Sequence, residues 1–170
     1  MICCEGSVLL KILGIDPGYA IVGYGILNYD GYKFRPLGYG AITTEAGTDF
    51  TLRLMDIYHD METVLDTFKP DAMSIEKLFF NTNQKTGIDV AQARGVIILA
   101  AAEMGVPVFE YTPLQVKQSV VGYGRAEKKQ VMEMTRSILG LASVPKPDDT
   151  ADALALAICH RHCSSAIKFN

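Results

Sequence analysis

The chain has no apolar run long enough to cross a bilayer. No run exceeds seven residues, the length of residues 96–102, against the roughly 20 that a spanning helix requires. The opening residues 1–6 carry neither a basic stretch nor a small-residue cleavage site, so no secretory leader is expected and the expected compartment is the cytoplasm. Cysteine is scarce: Cys3, Cys4, Cys159 and Cys163. Neighbouring cysteines are poor disulfide partners for each other, and a cytosolic chain is kept reduced. Cys159-His160-Arg161-His162-Cys163 lacks the spacing of a zinc frame. It reads as two small buried thiols and two histidines near a helix C-terminus, where they complement the dipole. Positive charge is also short: the formal net charge of −3 speaks against a nucleic-acid binder unless some acids hold cations. There is no internal repeat and no low-complexity segment. With 170 residues, 49% hydrophobic and 21% charged, the chain suits one folded domain, with residues 1–7 as a loosely ordered extension.

What is present is organised around Val8-Leu9-Leu10-Lys11-Ile12-Leu13-Gly14-Ile15-Asp16-Pro17-Gly18. This apolar run has buried-strand density, ends on one carboxylate and is cut off by Pro-Gly. Asp16 either starts a local turn or stands at the mouth of a sheet, where α/β folds bind ligands. Two further β-rich runs, residues 20–29 and 32–44, flank Asp30-Gly31, a strong hairpin signal. Apolar residues recur at helical spacing from Phe50 to Phe68. A short strand, residues 71–76, again ends on an acid, Glu76. A helix is expected at about 83–104, apolar nearly all round and therefore buried or dimer-forming. A strand follows at 106–111, then helices at 112–121, 126–139 and 149–164. The order βββαβαβααα predicts an α/β fold with a mixed five-stranded sheet, order 3-2-1-4-5, strand 2 antiparallel, flanked by helices. Asp16 and Glu76 then end adjacent parallel strands at the same edge.

A third acidic feature is Asp148-Asp149-Thr150-Ala151-Asp152. Asp148 is explained by helix-start chemistry. Asp149 and Asp152 share a helical face on a helix that is apolar around most of its circumference, so the pair faces protein rather than bulk water. Two carboxylates about 4 Å apart repel by about 4 kcal/mol at an effective dielectric near 20, or about three pKa units. Four of them cannot be reconciled by one shared proton, and all-oxygen ligands point to magnesium, with manganese as a substitute. Two such ions can activate water and stabilise the leaving oxygen of a phosphodiester. They would also turn the formal −3 into +1.

Basic residues gather around Gly122-Tyr123-Gly124: Lys117, Arg125, Lys128, Lys129 and Arg136. Lys117, Arg125 and Lys128 are candidate phosphate contacts, whereas Lys129 and Arg136 read as a solvated helix face. Phe79 and Phe80 follow Glu76 in a polar loop. Both cannot enter the core, so one is a candidate to stack on or wedge between bases.

Taken in order, these fragments resemble the RuvC family of Holliday-junction resolvases. The resemblance runs through Ile12 to Gly18 with Gly23-Tyr24-Gly25, then Ile75-Glu76 with Phe79 and Gln92-Ala93-Arg94-Gly95. It continues in Pro107 to Tyr111, Gln115-Val116-Lys117-Gln118, Val120-Val121-Gly122 and Ala126-Glu127-Lys128, and closes with Asp149 to Ala155. It implies an RNase H-like fold, a homodimer, and magnesium-dependent paired nicking of four-way DNA junctions. It further implies Asp16, Glu76, Asp149 and Asp152 as catalytic metal ligands, with Asp16 bridging two ions. Phe79 would intrude at the crossover, and Lys117 and Lys128 would lie near the cut strand. A branch-migration motor is the implied partner, and no membrane is implied. The Asp149 position is one where the family also accepts His. The alternatives are an RNase H-like nuclease for another branched or hybrid nucleic acid, and a junction-binding module without catalysis. A sugar-kinase or actin-like ATPase needs two such domains, more than 170 residues can supply.

Overall fold

The computed structural model describes residues 9–78 and 84–167. Cys3, Cys4, the expected N-terminal extension and Phe79 with its loop lie outside the described residues. The elements run β1 (Leu10–Asp16), β2 (Ile21–Tyr29), β3 (Phe34–Thr43), α1 (Phe50–Phe68), β4 (Ala72–Glu76), α2 (Gln84–Glu103), β5 (Val108–Tyr111), α3 (Pro113–Val121), α4 (Lys128–Leu139) and α5 (Asp148–Ile167). The sheet order is β3-β2-β1-β4-β5. β2 is antiparallel to both neighbours, and β1, β4 and β5 are parallel. This is the mixed sheet that the order of elements predicts.

Strand periodicity explains the two faces. Leu13, Ile15, Val22, Ile26, Met73 and Ile75 point to one side and form a core with Ile57, Met61, Leu65, Ala93 and Ile97 of α1 and α2. Ile12 and Leu27 point to the other side, against Leu154, Ala155 and Ile158 of α5 and Val131 and Leu139 of α4. On that second face the sheet is built from small residues. A Cβ on Gly14 would collide with the Ala153 carbonyl and sit 2.9 Å from the Ala157 nitrogen, and one on Gly25 would meet the Leu154 side chain. Ser74, fully buried, donates its hydroxyl to the Leu156 carbonyl at 2.8 Å. Missing side chains therefore let α5 lie directly on the central strands. Its residues Ala153 to Cys159 are all buried, as an apolar circumference requires.

Some local expectations differ from the structure: β5 starts two residues later than expected, and α5 runs from Asp148 to Ile167. The hairpin after β2 has a four-residue turn, because Asp30 Oδ1 accepts from the backbone of both Tyr32 and Lys33 and draws them out of the strand. α4 starts at Lys128 rather than at 126, with Glu127 and Gln130 forming its capping box. His160 is no dipole-complementing cation. It is buried, its ring hydrogen-bonds the Tyr111 hydroxyl at 2.8 Å, and burial, then the Arg161 charge, push its pKa down. Cys159 is buried and Cys163 half-buried, both as free thiols.

Candidate active site

β1 delivers Asp16 to the edge of the sheet, opposite Gly23 of β2. Ile15 pairs with Ile75, so Glu76 stands one position further along the neighbouring parallel strand, at the same edge. α5 begins over this edge. A Cβ on Gly23 would collide with the Asp149 backbone and lie 2.9 Å from the Asp149 Cβ. The glycine opposite Asp16 is thus what allows the acidic start of α5 to come close.

Asp16, Glu76 and Asp152 line one cavity of about 350 Å³, together with Lys117, Lys128, Pro113, Val116, Val131 and Leu156. That volume is at the small end for ligand sites, enough for one backbone linkage but not for a duplex. Asp149 is not on the wall. It sits behind it on Gly23, close enough for its charge to act on Asp16. Asp148 faces outward and pairs with Lys146 at 2.6 Å, in keeping with a helix-start role.

Packing places charge where water is scarce, and the carboxyl groups respond. Burial, then the charges of Glu76, Asp152 and Asp149, raise Asp16 to about 8. Burial raises Glu76 as well, reinforced by Asp152. Asp152 is also raised, chiefly by burial, against the pull of Lys128. Lys128 Nζ lies 2.8 Å from Asp152 Oδ2 and is the cation that partly offsets the cluster.

The four predicted ligands therefore share one end of the sheet without forming a closed cage. Among the described residues, no group of three or more His, Cys, Asp or Glu side chains is set as a ready metal site. The donor set nevertheless fits a hard divalent cation: three half-buried carboxylates, no thiolate or imidazole among them, against two lysines on the same wall.

Of the predicted DNA contacts, Lys117 lies on the cavity wall and is half-buried. Lys128 lies there too, but engaged with Asp152. Arg125 is exposed just before α4 and is not part of the lining. Phe79 lies outside the described residues. Arg136 is occupied by Glu133 and the Leu141 carbonyl, consistent with its reading as an ordinary helix-surface residue. The apolar wall of Pro113, Val116, Val131 and Leu156 leaves one signal in the sequence, Leu156, four residues beyond Asp152 on the same stripe.

The fold and this edge of acids define an RNase H-like α/β domain with a carboxylate site. Residues 12–160 match the family described as crossover junction endodeoxyribonuclease RuvC. The protein of that name from Ruminiclostridium cellulolyticum is 60% identical over 149 residues, covering 88% of this chain and 90% of the relative. The one from Brevibacillus brevis is 60% identical over 151 residues, covering 89% and 91%. Among solved structures, Thermus thermophilus RuvC in complex with a Holliday junction substrate superposes with a TM-score of 0.88 at 37% identity, covering 92% of this chain and 96% of that one. The chain belongs to the RuvC family of crossover junction endodeoxyribonucleases.

Proposed function

We propose that this chain resolves four-way DNA junctions by metal-dependent hydrolysis of one phosphodiester in each of two strands, using Asp16, Glu76, Asp149 and Asp152 as its acidic set. One observation carries the reading of the site: three carboxylates line a cavity that fits a backbone linkage, Asp16 raised to about 8 among them, with one ion-paired lysine to offset them. Such a cluster is electrostatically unfinished without divalent cations. Two magnesium ions, when bound, supply an activated water and charge stabilisation at the leaving oxygen.

The protein's own groups do the rest. Asp16, Glu76 and Asp152 supply oxygen ligands from two strand ends and a helix, three elements locked by the sheet and its glycine contacts. Asp149 acts from behind the wall, as a further ligand or through its charge. Lys128 and Lys117, on the cavity wall, would contact the phosphates of the cut strand. Pro113, Val116, Val131 and Leu156 exclude water from one side of the cavity. Arg125, outside the cavity, would meet the DNA beyond the cut linkage, and Phe79 would intrude at the crossover.

Paired nicks need two sites, and α2 supports a twofold assembly. Ala93, Ile97, Ala100 and Ala101 turn inward, whereas Ile88, Gln92, Gly95, Leu99 and Ala102 are exposed at alternating spacings of four and three. Ile88 and Leu99 are 54% and 52% exposed, and nothing lies within 4 Å of a Cβ built on Gly95. That stripe fits a second copy of the same helix. A branch-migration motor is the partner the family suggests.

The test is a synthetic mobile junction with each strand labelled in turn, incubated with and without magnesium, with sedimentation to establish the assembly state. We expect a dimer making two symmetric nicks only with the metal present. A monomer that cuts RNA–DNA hybrids and leaves junctions intact would overturn the proposal. So would junction cleavage that survives Asp16→Asn.

A further inference from the structure

Arg94 of α2 reaches the acidic edge from the opposite face of the sheet. Its Nε donates to the main-chain carbonyl of Glu76 at 3.1 Å. Its terminal nitrogen forms an ion pair with Glu110 of β5. The side chain of Arg94 is only 14% exposed, deep for an arginine. Strand alternation explains the approach. Glu110 pairs with Ile75 in the β4–β5 register, on the α1/α2 side, while Glu76 pairs with Tyr111 and turns its carboxyl to the cavity.

The backbone at Glu76 needs such a hold. β4 is five residues long and Glu76 is its last. The β1–β4 register ends at Ile15–Ile75, so Glu76 lies past the last rung on that side. Its lateral support comes from β5, through pairing with Tyr111 and the Lys77 N–H bond to the Tyr111 carbonyl at 2.9 Å, and from Arg94. A carboxylate on a short strand end is placed only as firmly as its main chain is held.

We propose that Arg94 is a positioning residue: it clamps the carbonyl of Glu76 to Glu110 and so fixes the height of the Glu76 carboxyl beside Asp16. The inference rests on the junction-cleaving reading above and extends it to a residue that does not line the cavity. The planar guanidinium spans both acceptors, which a lysine ammonium, a single point donor, does not. Because α2 also carries the exposed Ile88–Leu99 stripe, the clamp ties the helix that would meet the second protomer to one of the catalytic acids.

The test compares Arg94→Lys, Arg94→Ala, Glu110→Ala and Glu110→Gln with the parent chain in three measurements. These are single-turnover junction cleavage, junction affinity in metal-free buffer, and the rise in melting temperature on adding magnesium or manganese. We expect both Arg94 variants to lose cleavage rate by about tenfold to a hundredfold, with metal-free junction affinity changed by less than about twofold. Their metal-induced rise in melting temperature should shrink, because a misplaced Glu76 binds the ion less well. Glu110→Gln keeps an acceptor and should restore most of the rate that Glu110→Ala loses. If Arg94→Ala does not fold, Arg94→Lys with the Glu110 pair carries the comparison. Weaker junction binding with a shallower salt dependence would make Arg94 a phosphate contact and overturn the clamp. So would a lower melting temperature with the metal-induced rise and the cleavage rate intact. If the parent chain cuts no junction, the functional reading fails instead, and the metal-induced shift still tests the clamp.

Discussion

Asp16→Asn should make the metal-free protein more stable, and by an amount that grows with pH. The asparagine is nearly isosteric with the protonated acid but does not ionise. In the fold Asp16 titrates at about 8 against an ordinary value of 3.8. Between those values the native state binds more protons than the unfolded state, so the parent chain loses stability as pH rises through that window and levels off above it. At about 1.4 kcal/mol for each pH unit, the accumulated penalty reaches about 4 kcal/mol at pH 7. Water entry and a swing of Lys128 towards Asp16 relieve part of it, leaving an expected gain of about 2–4 kcal/mol for the variant at pH 7 to 8. The gain should be smaller by at least about 1 kcal/mol at pH 5. Urea unfolding in the presence of a chelator, at pH 5 and pH 8, measures it as a shift in midpoint with unchanged slope. Adding magnesium should narrow the difference by stabilising the parent chain alone. A gain that is the same at both pH values, or a variant less stable than its parent at pH 8, would refute the electrostatic account of the site.

Gly23→Ala should destabilise the fold by about 1–3 kcal/mol and reduce cleavage more than junction binding, since the new methyl pushes the Asp149 backbone off the edge that holds Asp16; paired urea and cleavage assays read both. Lys128→Met removes the charge that lowers Asp16, Glu76 and Asp152, so the acid limb of the pH–rate profile should move to higher pH. Ser74→Ala removes one buried hydrogen bond to the Leu156 carbonyl and should lower stability by about 0.5–1.5 kcal/mol, seen as a lower urea midpoint with the pH–rate profile unchanged.

The contrast between these substitutions separates what the sequence discloses from what it conceals. The sheet order is legible because each strand carries its own record. Leu13 and Ile15 alternate with Ile12 and Gly14, Pro17 ends the first strand, and Glu76 ends the fourth in the same manner. The meeting of Asp16 with Glu76 then follows from topology alone, and that of Asp152 from the apolar circumference of its helix. What escapes is every interaction whose partner lies far away in the chain and leaves no periodic trace. Nothing near Lys128 marks it as the counter-ion of Asp152, 24 residues on, so it reads only as a phosphate contact. Arg94 looks like one polar position on an apolar helix, and its hold on Glu76 depends on Glu110 of a different strand. The turn after β2 departs from expectation for the reverse reason: a side chain, Asp30, overrides the backbone rule suggested by Asp-Gly.

The same division has a thermodynamic side. The positions that were easy to read, such as Ile12, Leu13 and Leu154, are buried and mutually consistent, and they stabilise the fold. Asp16, Glu76 and Asp152 at the sheet edge do the opposite, because burial, and then the charges of neighbouring carboxylates, raise them. An edge that opposes ionisation persists only if the scaffold beneath it is rigid, and the glycines at 14, 23 and 25 provide that rigidity by letting α5 press onto the strands. The fold's close packing and the site's instability are therefore one design: the tighter α5 lies on β1 and β2, the closer Asp152 and Asp149 come to Asp16, and the stronger the pull on a divalent cation. Loosening that contact should relieve the electrostatic strain and weaken metal binding together, so the loss of stability with rising pH and the metal affinity are expected to shrink in step across substitutions at this edge.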